Sequence, residues 1–74
     1  MSQAAFKQTI RVNGESEPLA AATLAALLAR KDIPPERRGI AIALNGAVVP
    51  RAAWSTTSLR AGDAVEIVLA RQGG

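Results

Sequence analysis

Two Asn-Gly dipeptides, Asn13–Gly14 and Asn45–Gly46, constrain this chain more than any other feature. Asn-Gly flanked by alternating apolar residues is the strongest short-range signal for a two-residue hairpin, because both turn positions need a positive φ. Before the first, "FKQTIRV" sets Phe6, Gln8, Ile10 and Val12 on one face and Lys7, Thr9 and Arg11 on the other. That alternation predicts a strand with one buried side. A partner strand is expected over residues 15–19, and Pro18, which has no N–H for a ladder, puts it at a sheet edge. Before the second dipeptide, "GIAIAL" sets Ile40, Ile42 and Leu44 on one face and Ala41 and Ala43 on the other. "AVVPR" then makes a short strand that Pro50 ends. After a turn at Gly62–Asp63, "AVEIVLA" is the last strand, with Val65, Ile67 and Leu69 inward and Glu66, Val68 and Ala70 outward.

Between the hairpins the period changes. In "TLAALLARK", Leu24, Leu27 and Leu28 form the i, i+3, i+4 stripe of an amphipathic helix. Thr23 can cap it by accepting a backbone N–H, and Arg30 and Lys31 suit the negative end of its dipole. Pro34 and Pro35 cannot continue it, and Pro35-Glu-Arg-Arg is expected to make one short helical turn. "AAWS" reads as a single turn, with Trp54 plugging the edge of the core. The order is β-β-α-β-β-β. One amphipathic helix covers one face of one sheet, so the expected class is α+β: a mixed sheet of four to five strands with one main helix. Seventy-four residues make one domain, residues 1–74.

Composition then narrows the chemistry. Hydrophobic residues make up 49% of the chain, but sixteen of them are alanine, so the core must be small. An enclosed ligand pocket of roughly 300–1,000 Å³ would use much of that interior. There is no His, Cys or Tyr, which removes the commonest general base, the thiol nucleophile and the soft metal ligands. The acids, Glu15, Glu17, Asp32, Glu36, Asp63 and Glu66, read as solvated charges, and no metal site or bound cofactor is expected. No apolar run approaches the roughly 20 residues of a membrane span. The N-terminus carries no signal-peptide pattern, so a cytoplasmic protein, monomeric alone, is expected. The net charge is +3. Its densest groups are Arg30–Lys31 and Arg37–Arg38, yet Phe6 and Trp54 are the only aromatics, too few to stack bases. An acidic protein partner accounts for the charge without nucleic acid.

The chain closes on "ARQGG". Two glycines end a chain by chance about once in 200. They are costly to order and pack nothing, so as structure they contribute little. As the end of a thread they are apt: without Cβ atoms, Gly73 and Gly74 can pass a narrow channel, and the terminal carboxylate is ionised at neutral pH. Residues 71–74 are therefore expected to form a flexible tail. Arg71 and Gln72 carry it out of the last strand, and Arg71 is placed to pair with an acid on a partner.

The second half of the sequence resembles the ThiS family, the sulfur carrier proteins of thiamine biosynthesis. The resemblance rests on the ordered set "ALNGAVVPRAAW" (residues 43–54), "LRAGDAVEIVLARQGG" (residues 59–74) and the helix "TLAALLA". It implies a ubiquitin-like β-grasp fold. It implies that Gly74 is converted to a C-terminal thiocarboxylate, after a ThiF-like, ATP-dependent adenylyltransferase activates the carboxylate as an acyl-adenylate. A cysteine desulfurase-derived sulfur then replaces AMP, and thiazole synthase receives it. The protein would be a co-substrate and not an enzyme, with ATP consumed by its partner. Two rival readings stand beside this one: a carrier for molybdopterin or cysteine biosynthesis, and a non-catalytic β-grasp binding module. The small apolar outer face, Ala41, Ala43, Val68 and Ala70, is a candidate surface for partner docking.

Overall fold

The predicted strands and the main helix form among the described residues, with ends set by local chemistry. The structure is a computed structural model and describes residues 8–70. β1 (Thr9–Val12) and β2 (Glu15–Pro18) pair antiparallel around the first Asn-Gly turn. Asn13 and Gly14 have φ of 53° and 87°, the two positive values that a type I′ turn requires. The second dipeptide repeats this with 51° and 88°, joining β3 (Ile40–Leu44) to β4 (Ala47–Val48). β5 (Ala64–Leu69) runs antiparallel to β3 and parallel to β1. The sheet is thus mixed and five-stranded, in the order β2-β1-β5-β3-β4, with the Pro18 strand at an edge as expected.

The helix α1 (Leu24–Arg30) starts on Thr23, whose hydroxyl accepts the N–H of Ala26 at 3.1 Å. Its C-terminus differs in one detail from the sequence expectation. The chain reverses at Asp32, with a φ of 59°, before either proline. The Ile33 N–H reaches the Leu28 carbonyl and the Asp32 N–H that of Ala29, the paired bonds of a Schellman cap. The prolines follow a helix that has already stopped. No short helix forms at Pro35–Arg38: a single turn closes from the Arg37 N–H to the Pro34 carbonyl.

Leu24, Leu27 and Leu28 press the helix onto Ile10, Val12, Ile42, Val65 and Ile67. Trp54 closes the core beside a 3₁₀ turn at Arg51–Ala53; it is buried, and its indole N–H donates to the Val49 carbonyl at 2.9 Å. Two inward assignments do not hold. Gln8 is exposed at the approach to β1, where its carbonyl accepts from the Leu19 N–H. Leu69 is 40% exposed. The reason is length: seven helical residues span roughly 10 Å at 1.5 Å each, whereas the six residues of β5 span roughly 20 Å, so α1 cannot roof the whole strand. The expected strand residues Phe6 and Lys7 lie outside the described residues.

Candidate functional site

The distal half of β5 is where the molecule presents something other than a core. The strand starts inside it: Val65 is 1% and Ile67 8% exposed. Over the next two residues this changes: Val68 is 59% exposed and Leu69 borders an open cleft with Val12, Ile33 and Lys31. At the last described residue, the Ala70 N–H donates to the Gly39 carbonyl at 2.7 Å. Gly39 has a φ of +79°, and a Cβ built there would stand 3.1 Å from the Ala70 Cβ. Only glycine lets the two backbones approach this closely in that conformation. The strand that leads to Arg71, Gln72, Gly73 and Gly74 is therefore held at its base. Those four residues lie outside the described residues.

The outer face of the sheet is built as the alternation implied. Ala41 sits opposite Val68, and Ala43 opposite Glu66 on one side and Val48 on the other. Ala41, Val68 and Ala70 are exposed and Ala43 is half-buried. Val48, 77% exposed, belongs to this face and was missed from sequence, because "AVV" in a two-residue strand does not show which valine turns outward. Glu66 stands among these apolar groups, so the face is mixed.

Sequence reasoning also missed the second use of both turn asparagines. Asn13 accepts the Ile67 N–H on Oδ1 at 2.8 Å and donates Nδ2 to the Ile67 carbonyl at 3.2 Å. Asn45 accepts the Ala64 N–H at 2.8 Å and donates to the Asp63 carboxylate at 3.0 Å. Asp63 in turn accepts the Arg60 N–H at 2.8 Å, so it is a turn anchor and not a merely solvated charge. Glu17 is likewise engaged, in an ion pair with Lys31 at 3.0 Å.

The basic residues divide by role. The Arg51 guanidinium lies 4.6 Å over the Trp54 ring and donates to the carbonyls of Pro35 and Arg37, tying the post-helix loop to the core. Arg30, Arg37 and Arg38 are exposed. Among the described residues no charged or polar side chain is buried, and no three potential metal ligands cluster. Also among them, no helix is long and apolar enough to cross a membrane. Nothing in the described side chains builds a catalytic centre, and the open end of β5 is the remaining candidate.

The model of the ThiS family matches residues 6–74. The chain belongs to the ThiS family. Membership carries the coarse function, a small sulfur carrier that works with sulfur-transfer enzymes, and the fold seen here is the ubiquitin-like β-grasp of that family. The chain is similar to the crystal structure of the thiamine biosynthesis protein ThiS from Geobacter metallireducens. The two are 29% identical, with a TM-score of 0.72 over 89% of this chain and 99% of that one. No curated protein matches the sequence. Within this family fold, β5 divides into a half buried in the core and a half exposed at the rim, from which the chain continues to Arg71.

Proposed function

We propose that this protein carries sulfur as a thiocarboxylate on Gly74 and delivers it for thiazole formation in thiamine biosynthesis. The observation that carries the reading is the arrangement of β5. Its proximal half is locked in the core, its distal half is exposed at the rim, and the family match continues through the closing Gly-Gly. The neighbour's role in thiamine biosynthesis favours the thiazole acceptor over a molybdopterin partner. So does the tail itself, which has no proline between Pro50 and Gly74.

The chemistry asks little of the carrier's own side chains. The Gly74 carboxylate, ionised at neutral pH, attacks the α-phosphorus of ATP in the active site of a ThiF-like adenylyltransferase, and pyrophosphate leaves. The terminal sulfur of a desulfurase-derived persulfide then attacks the acyl carbon and AMP leaves; a thiol cleaves the resulting acyl disulfide, forming a disulfide and freeing the thiocarboxylate. What the carrier contributes is reach and aim. Four extended residues after Ala70 span at most roughly 13–14 Å, enough for a shallow channel with little slack. Arg71 offers a cation to an acid at the channel mouth. Ala41, Ala43, Val68 and Ala70, with Val48 added, supply the surface that docks.

The test is intact mass after expression beside the adenylyltransferase and desulfurase. One oxygen should be exchanged for sulfur, localised to the last peptide. A residue appended after Gly74 converts the carboxylate to an amide and should block the exchange; thiolation of the extended protein at that position, or at another residue, refutes the mechanism. Mixing the thiocarboxylated protein with thiazole synthase or with a molybdopterin partner identifies the acceptor. Turnover with the molybdopterin partner alone would overturn the thiazole assignment.

A further inference from the structure

β1 ends at Val12, paired with Val65, and the Asn13 N–H still reaches the Val65 carbonyl at 2.8 Å. The next pairing on that side of β5 is made by a side chain. The Asn13 carboxamide takes both the N–H and the carbonyl of Ile67, as a further strand residue would. Past Ile67, the partners of β5 among the described residues all lie on the β3 side: Ala41 opposite Val68, Ile40 opposite Leu69, and the Gly39 carbonyl on the Ala70 N–H. Among the described residues Asn13 is thus the last attachment of this strand on the β1 side, made at Ile67, seven residues before Gly74.

The turn does not need this carboxamide. Glycine accepts a positive φ at least as readily as asparagine, so Gly-Gly would close the same hairpin. The second Asn-Gly turn makes the point, since with matching dihedrals its carboxamide holds Ala64 and Asp63 at the opposite end of β5. Turn geometry and attachment to β5 are separable properties of the asparagine.

We propose that Asn13 is a positioning residue for sulfur transfer: its carboxamide fixes the direction in which the distal half of β5 runs on beside β3, and so aims the tail. The proposal rests on the reading that the Gly74 carboxylate is the reacting group. Without the carboxamide, Ile67 loses its hydrogen bonds on the β1 side, and the strand beyond it, held by β3 and Gly39 alone, frays more readily. The residues so released must be ordered again on docking, an entropic cost carried by binding and not by the chemical step.

The experiment compares Asn13→Gly with Asn45→Gly in the full chain. Both keep the turn and both remove side-chain hydrogen bonds to β5. Thiocarboxylate formation is followed at varied carrier concentration with the adenylyltransferase, ATP and the sulfur donor. Asn13→Gly should raise the KM for the carrier about tenfold, with kcat within about twofold, the equivalent of re-ordering roughly one residue. Amide exchange at Ile67 should quicken in step. Asn45→Gly should leave KM within about twofold at a comparable loss of melting temperature. Asn13→Asp, which keeps an acceptor for the Ile67 N–H and tolerates the left-handed backbone, should raise KM less; it also answers the question if the glycine variant fails to fold. An unchanged KM in the Asn13 variants, or equal rises for Asn13→Gly and Asn45→Gly, overturns the proposal. If the unsubstituted protein gains no thiocarboxylate, the reading of Gly74 fails and this proposal with it. Thiocarboxylation of the unsubstituted protein with unchanged kinetics in the variants removes this proposal alone.

Discussion

β5 is two different strands joined end to end. From Ala64 to Ile67 it is held on both sides: β1 pairs with it through Val12, the Asn45 and Asn13 carboxamides grip Ala64 and Ile67, and Val65 and Ile67 sit in the core. From Val68 to Ala70 its described partners lie on one side only, and its large side chains are half or more in water or close to it. The contrast follows from two lengths. β1 stops at the first hairpin turn, and α1 is too short to roof the whole strand. If the tail delivers sulfur as proposed, stability and delivery are divided along a single strand, and substitutions in the two halves should be read out by different measurements.

The largest effect belongs to the end of the distal half. Deleting Gly73 and Gly74 should abolish thiocarboxylation, because the reacting carboxylate no longer reaches its site, while the melting temperature stays within error. A large fall in melting temperature would mean that the tail holds the fold together, and the division would be lost. In the proximal half, Ile67→Ala should do the reverse. It removes a buried branched side chain and should cost about 2–5 kcal/mol, a large share of the roughly 5–15 kcal/mol that stabilises a domain. Denaturant unfolding measures it, and a cost below about 1 kcal/mol would show that this half is not core.

Gly39→Ala probes the boundary. The left-handed conformation at φ +79° costs an L-residue roughly 1–2 kcal/mol, and the added methyl meets the Ala70 Cβ at 3.1 Å. The expected result is a fall of roughly 4–16 °C in melting temperature, together with perturbed amide signals at Ala70. A fall without any change at Ala70 would separate Gly39 from the tail. The smallest effect is that of Val68→Ala. The side chain is 59% exposed, so stability should change by no more than about 0.5 kcal/mol, with weaker binding to the adenylyltransferase as the only consequence. Unchanged affinity would remove this part of the outer face from the interface.

The local elements of this protein were legible in its sequence because each depends on neighbours in the chain. The Asn-Gly dipeptides specify type I′ turns by their tolerance of positive φ. The spacing of Leu24, Leu27 and Leu28 specifies a helix with one apolar stripe, and Thr23 its start. Alternation in β3 and β5 assigned Ala41, Ala43, Val68 and Ala70 to the outer face, and the closing glycines drew attention to the carboxylate. Other features depend on which segments meet in space, and no local pattern encodes that. Asn13 and Ile67 are 54 residues apart, and nothing near Asn13 says that its side chain, beyond making a turn, extends a ladder. The exposure of Leu69 depends on the length of a helix from another part of the chain, and the need for glycine at position 39 on the close passage of Ala70. Arg51 looks like a free surface cation until the fold brings the carbonyls of Pro35 and Arg37 to its guanidinium. Backbone preference and period act over a few residues and can be read in one dimension, whereas side-chain partnership across a sheet is fixed only once topology and register have chosen the neighbours.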